Sequence, residues 1–399
     1  MAPGYSWLST KRIFEGNRLR YRRNNNMIEK AVKIPLVKPF INEEIKREVL
    51  YVLENERYVL GESVYKFEEE LAKYFGVDFA ITTSSGTHAL EFALRAIGLK
   101  SGEKVVTTPF SFIATANSII HAGGEPIFAD VSDYSLNIDP KEIEKAVRLN
   151  SHIKAVLPVH LYGYPADMDE ILDIANKYGL RVIEDACQAH GATYNNKKVG
   201  TFGDAGALSF YPSKNMTVAG DGGAVLTNDE KIAEMVWKLR DAGRISKYEH
   251  DVIGYTARLN TINAAIGRIQ LKYLDQWNET RRRIAKLYNN LLSDIEEIRL
   301  PPVETPTIKP VYHLYVIRTR YRDELKKWLE SNGIECGIHY PIPIHLQPIY
   351  KQLYGYQRGE YPLSEKASKE CLSIPMHPFL KDEEIKYISE KIHEFFDRV

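Results

Sequence analysis

The chain has 399 residues with 53 basic and 53 acidic side chains, so its formal charge is zero and nothing global recommends nucleic acid or a membrane surface as a partner. No apolar run approaches the ~18 residues that cross a bilayer, and the length exceeds the ~250–300 residues at which a single core stops growing. These features exclude a membrane-spanning chain and lead us to expect a soluble protein of one large and one smaller domain, acting on small molecules.

Residues 1–26 come first, and there Lys11, Arg12, Arg18, Arg20, Arg22 and Arg23 face only Glu15. The stretch carries no long apolar segment of the signal-peptide kind and reads as a basic, disordered extension. From about residue 64 to 275 helical and strand signals alternate. "VYKFEEELAKYFG" puts Val64, Phe67, Leu71 and Phe75 on one helical face, with Gly76 as its stop, and "HALEFALRAIGL" repeats the pattern. Strands are predicted at "KVVTT", "EPIFADV", "KAVLPV", "RVIEDA", "GALSFY" and "GAVLTN". Their nearly continuous apolar character suits a largely parallel sheet covered on both faces, an α/β architecture. After "NAAIGRIQLKYLDQW" a charged helix, "NETRRRIAKLYNNLLSDI", leads to a different pattern: strand "HLYVIR", helix "RDELKKWLESNG", strand "IECGIHY", a proline-broken loop to about residue 363 and a last helix. We therefore expect a large domain over 27–280 and a small α+β domain over 281–399.

The three cysteines, Cys187, Cys336 and Cys371, are odd in number and lack metal-ligand spacing, which points to a reducing compartment, the cytoplasm. The eleven histidines contain no HExxH-type pair, so no metal site is expected. Three short stretches carry chemical potential. Lys214 follows the strand "GALSFY" and precedes "VAGDGG", at a carboxyl end of the sheet where open α/β folds bind ligands; the alternative is one more surface charge. Asp185 ends the apolar strand of "VIEDACQAHGA", as a helix cap or as a site residue. Ser85-Gly86-Thr87 lies between a strand and a helix, where it either caps that helix or holds a phosphate on open N–H groups, with Ser209 close enough in sequence to Lys214 to add a hydroxyl.

In this order and over this span, strand-SGT-helix, "PFSFIATANSI", "EDACQAHG" and "SFYPSKN...GDGG" resemble the DegT/DnrJ/EryC1/StrS family of sugar aminotransferases. The resemblance implies a fold-type I enzyme with a seven-stranded, mostly parallel sheet and a homodimer with shared active sites. It implies pyridoxal 5′-phosphate as cofactor, in a Schiff base on Lys214. It further implies Asp185 as partner of the pyridinium nitrogen, Gln188 near the phenolic oxygen or ring, Gly86, Thr87 and Ser209 on the phosphate, and Phe112 stacked on the ring. Where the family reads "GYNxRL" this chain reads "GYTARL", so Thr256 stands for an asparagine that reaches the phosphate across the dimer, or Arg258 takes that part. His160 and Tyr162 in "PVHLYG" match the family but stay outside the catalytic set.

"GIHYPIPIHLQPIY" resembles the loop of members acting on 3-keto sugar nucleotides. Tyr340 and His345 are its candidates for sugar or diphosphate contact; the alternative is a proline-stiffened loop with a solvated histidine. The implied reaction moves an amine from an amino acid, glutamate, to a nucleoside-diphosphate keto sugar, at C3. Two alternatives compete: a perosamine-synthase-like enzyme for 4-keto-6-deoxy sugars, and a non-catalytic regulatory protein.

Overall fold

A computed structural model of the protein describes residues 34–399; the basic extension expected over 1–26 lies outside the described residues. The helices are α1 (Glu43–Asn55), α2 (Glu62–Phe75), α3 (Gly86–Ala96), α4 (Ala114–His121), α5 (Pro140–Leu149), α6 (Met168–Tyr178), α7 (Glu230–Arg240), α8 (Thr261–Leu292), α9 (Arg322–Ser331), α10 (Pro348–Tyr354), α11 (Pro362–Glu370) and α12 (Asp382–Phe396). The strands are β1 (Phe79–Thr83), β2 (Lys104–Thr107), β3 (Glu125–Phe128), β4 (Ile153–Leu157), β5 (Arg181–Asp185), β6 (Thr193–Tyr194), β7 (Lys197–Lys198), β8 (Ala205–Ser209), β9 (Gly223–Thr227), β10 (Ile308–Lys309), β11 (Tyr315–Arg318) and β12 (Cys371–Ile374).

Seven strands form the central sheet in the order β1-β9-β8-β5-β4-β2-β3. Only β9 runs antiparallel to its neighbours, and the remaining pairings are parallel. The fold is therefore α/β with a mostly parallel sheet, as the apolar runs predict. β8 and β9 are buried along their whole length, which is why they lack the polar alternation of a one-sided sheet. The helix predicted from "VYKFEEELAKYFG" is α2; Val64, Phe67 and Leu71 are fully buried, and Gly76 ends it with φ 74°, a left-handed turn that costs glycine little.

This topology positions the site. Because β1 and β8 both run against β9, the carboxyl ends of β1, β5 and β8 share one edge of the sheet with the start of β9. Thr83 and Ser209 both pair with Gly223 there. Behind that edge Arg240 of α7 pairs with Glu68 of α2 in the interior. Glu68 also accepts the Thr82 N–H at 2.8 Å and the Thr82 hydroxyl at 2.6 Å, which fixes the end of β1.

Several expectations for the second half require correction. The two helices expected on either side of Trp277 are one continuous helix, α8, so the expected boundary at 280/281 falls inside it. Its first half packs on the sheet side through Ala264, Leu271 and Leu274, and its second half through Ile284, Ala285, Tyr288 and Leu292 on a separate core with β11, β12, α9 and α12. The strand expected at "IECGIHY" does not form. β11 pairs instead with β12, while residues 334–340 reach that sheet through a backbone bridge between Gly337 and Ser373 and a contact of 2.8 Å between His339 Nδ1 and Ser373 Oγ before turning away. The loop expected to about residue 363 contains α10 and the start of α11, and it returns to the large core. Tyr350 lies against Phe128, and Asp130 takes the N–H groups of Leu363 at 2.9 Å and Ser364 at 3.0 Å, capping α11.

Candidate active site

A cavity of about 500 Å³ opens at the shared strand edge, within the size range of small-molecule sites. Three sheet-edge turns build its floor. At the end of β1, Ser85 is extended and its Oγ accepts the His88 N–H at 3.2 Å, while its carbonyl accepts the Ala89 N–H at 3.0 Å. The N–H groups of Gly86 and Thr87, both at the cavity wall, then have no protein acceptor among the described residues, and they sit at the positive end of α3. Gly86 is required by close approach: a Cβ there would lie 2.8 Å from Ser209 Cβ and 2.9 Å from Cys187 Sγ.

At the end of β5, neighbouring carboxylates part company because successive strand residues face opposite ways. Glu184 is fully buried away from the cavity, accepting the N–H groups of Gly200 at 2.7 Å, Phe202 at 2.6 Å and Gly203 at 2.8 Å and facing His160 Nε2 at 3.0 Å. His160 Nδ1 accepts the Ala166 N–H at 3.0 Å, so its proton sits on Nε2 and points to Glu184. Asp185, 5% exposed, faces the cavity. Thr115 donates to its Oδ2 at 2.8 Å and the Cys187 N–H to its Oδ1 at 3.2 Å, while Ser111 donates to Thr115 at 2.9 Å.

At the end of β8, the turn that carries Lys214 is closed by its N–H on the Tyr211 carbonyl at 2.8 Å. Lys214 is half-buried in the cavity wall, and among the described residues its ammonium enters no ion pair. Burial pulls its pKa below the usual lysine value, against a weaker upward influence of Cys187 and Asp185. The imidazoles around it stay neutral. Burial, and then the lysine charge, push His190 down to about 3 and His339 to about 4, and drive His313 well below its ordinary value.

Of the sequence-predicted residues, Gly86, Thr87, Phe112, Asp185, Gln188, Ser209, Lys214 and Tyr340 line this one cavity. Gln188 accepts the Tyr162 N–H at 2.9 Å and donates to the Tyr340 hydroxyl at 3.2 Å, and Phe112 stands 6.1 Å from the Tyr340 ring. His345 is not among them. It is fully buried, with Nε2 3.3 Å from Glu365 and its ring 4.8 Å from that of Tyr361, so neither sugar contact nor solvation describes it; the return of α10 onto the large core encloses it. Thr256 is exposed and bridges Asp241 through its backbone, outside the cavity of its own chain, and Arg258 is paired with Asp241. Tyr162 is buried and donates to the His339 carbonyl.

Sequence reasoning missed Thr115, although it lies inside the quoted "FSFIATANSI" and a hydroxyl at a helix start beside Ser111 was a usable signal. It also missed His313, Leu36 and Val37, which reach the cavity from distant segments and carry no local signature, and His339, which stands beside Tyr340 in the loop already singled out.

Residues 39–393 match the DegT/DnrJ/EryC1/StrS aminotransferase family. A "pleiotropic regulatory protein" of Geobacillus stearothermophilus is 44% identical over 89% of this chain and 96% of its own length. The dTDP-3-amino-3,4,6-trideoxy-alpha-D-glucose transaminase of Streptomyces venezuelae is 38% identical over 90% of this chain and 94% of its length. The crystal structure of S. venezuelae DesV in complex with a ketimine intermediate superposes with a TM-score of 0.86 at 38% identity, covering 89% of this chain and 95% of that one. The chain thus belongs to the DegT/DnrJ/EryC1/StrS aminotransferases, enzymes of sugar-nucleotide amination that work with pyridoxal phosphate.

Proposed function

We propose that this protein moves the amino group of an amino acid, glutamate, to C3 of a nucleoside-diphosphate 3-keto hexose. One observation carries the reading: Lys214, Asp185 and the Ser85–Thr87 turn, far apart in sequence, wall a single cavity. Position C3 is supported by the transaminase relative whose name places its amine there.

The residues present fit pyridoxal phosphate. The open N–H groups of Gly86 and Thr87, with the Ser209 hydroxyl beside them, would hold the phosphate, in a cradle that a Cβ at position 86 would fill. Asp185 would face the ring nitrogen, and Phe112 would supply an apolar face to the ring. Gln188, with both ends of its amide already engaged, keeps one N–H for the ring oxygen. Lys214 would hold the aldehyde carbon. When bound, the cofactor supplies an electron-accepting ring that acidifies the carbon bearing the amine.

The protein's own part is protonic and positional. Thr115 and the Cys187 N–H fix the Asp185 carboxylate as an acceptor, which keeps a facing ring nitrogen protonated. Burial favours a neutral Lys214 amine, the form that can take a proton from the substrate carbon and return it to the carbon on the far side of the nitrogen, two atoms away. The neutral imidazoles of His313 and His339 line the same wall without adding positive charge. Phe112, Leu90, Leu314 and Tyr340 keep the reacting end apolar.

The reading extends to a homodimer, supported by the concentration of exposed large apolar side chains, Leu50, Tyr51, Leu53, Tyr58 and Val59, on and just after α1. Sedimentation at a single monomer mass would refute it. No described helix is long and apolar enough to cross a membrane.

The central test is spectroscopic and then chemical. The purified protein is expected to absorb visible light, to lose that band with glutamate, and to aminate 3-keto but not 4-keto sugar nucleotides, the position read by NMR of the product. Amination of 4-keto substrates alone would refute C3. A band that no amino acid alters would favour a regulatory role, the description borne by the 44% identical relative.

A further inference from the structure

Behind the wall formed by Ser213 and Lys214 lies a second, much smaller cavity with about 20 Å³ available to the centre of a water-sized sphere, room for one or two small occupants. Its lining includes Lys38, Ser213, Lys214, Gln270, Trp277 and Arg281. Arg281 projects from the middle of α8 and is 3% exposed. Its Nη1 donates to the carbonyls of Tyr312 at 3.0 Å and Met376 at 2.9 Å, with that of His313 at 3.4 Å, and so ties α8 to two segments of the second core.

What the guanidinium lacks is a counter-charge. No carboxylate pairs with Arg281 among the described residues, and its enclosed Nε finds no acceptor. Its neighbours on the helix behave otherwise: Arg282 pairs with Glu279 and Arg283 with Asp382. An unpaired buried cation is strongly unfavourable, and carbonyl dipoles offset that cost only in part. The same burial holds the guanidinium down to about 9, with no compensating upward influence. Besides Arg281, the polar residues lining the pocket are Lys38, Ser213, Lys214, Asn215, Thr217 and Gln270, with no carboxylate among them; Asn215 Oδ1 is a buried acceptor without a partner among the described residues, and the Gln270 amide donates to the Phe40 carbonyl at 2.7 Å. The unpaired guanidinium thus borders a pocket that no carboxylate lines.

We propose that this pocket binds one small monovalent anion against Arg281, immediately behind the wall of the larger cavity. Two sources share that chemistry: a free halide, or the carboxylate of the amino donor reaching past Ser213, since Val37, Ser213 and Lys214 border both cavities. Anion binding itself does not depend on the proposed reaction; only the second source rests on it.

The test uses the holoenzyme, prepared in the salt of a bulky aryl sulfonate, whose head group is larger than a carboxylate or a halide. Bromide at constant ionic strength is expected to raise Tm saturably, and bromide-soaked crystals to show an anomalous peak beside Arg281. If the donor is the source, bromide should compete with glutamate but not with the keto sugar, and Arg281→Met should raise the KM for glutamate roughly tenfold or more with the sugar KM unchanged. Wild-type crystals with no anomalous peak, together with no bromide inhibition against glutamate, overturn the proposal even if Arg281→Met fails to fold. Loss of turnover with intact bromide binding would refute the proposed reaction and leave the anion site standing.

Discussion

Gly86→Ala tests the cofactor cradle by adding one methyl group. The new Cβ would lie 2.8 Å from Ser209 Cβ, 3.3 Å from Ser209 Cα and 2.9 Å from Cys187 Sγ. Carbon pairs are comfortable near 3.5–4.0 Å, so the α3 turn or the end of β8 must retreat by roughly 0.7 Å. Both are anchored in sheet pairings, Ser209 to Gly223 and Thr83 to the same residue. Overpacking of this kind costs about 1–3 kcal/mol. Because the retreating groups are the phosphate donors, that cost should fall on cofactor affinity, a rise of roughly 5- to 150-fold in Kd for pyridoxal phosphate. Titration of apo-protein with the cofactor, read by absorbance, measures it. Cys187→Ala removes one of the three obstructing atoms and should recover part of the loss in the double variant. An unchanged Kd for Gly86→Ala, or full additivity with Cys187→Ala, would refute the cradle.

Four further outcomes follow from the geometry. Lys214→Ala should lower turnover by at least ~10²–10⁴-fold, the usual worth of a proton-transferring side chain, and remove the visible band while the phosphate site still binds; retained turnover would sink the assignment. Tyr340→Phe removes the hydroxyl that accepts from Gln188 at 3.2 Å and should raise the KM for the keto sugar while glutamate still bleaches the chromophore at its normal rate. Arg240→Met strands Glu68 in the interior and should cost about 3–5 kcal/mol in denaturant unfolding; a loss below 1 kcal/mol would contradict the anchoring of β1. His190 at about 3 and His339 at about 4 stay neutral in the fold where the unfolded imidazoles, near 6.5, take up protons. The unfolded state then binds more protons, so stability is full above pH ~6.5 and falls as the pH drops toward 4, a slope that His190→Phe should reduce.

Sequence alone determined the strand runs and largely parallel character of the central sheet and the chemical inventory of its edge, while the strand order and the antiparallel course of β9 came from the structure. The strand runs were legible because strands buried on both faces are apolar throughout, and α2 because one face repeats every turn until Gly76. Lys214, Asp185 and Gly86 could be singled out because each stands where a strand gives way to a turn, and the order of their motifs matches a family. Tertiary structure decided what no local pattern encodes. "IECGIHY" has strand-like composition, yet "CLSI" in β12 won the place beside β11 because the chain after Gly337 is drawn toward the cavity, carrying His339 and Tyr340 with it. His345 looked exposed in a proline-rich loop and is instead sealed beneath α10 and α11, since the Phe128–Tyr350 contact and the Asp130 cap pull that segment onto the large core. Arg281 reads in sequence as one charge of three in a solvated run, and only the burial of its own helix face separates it from Arg282 and Arg283. Periodicity reports which face of an element is covered; which distant residues cover it, and which charges they leave unpaired there, is set when the elements pack.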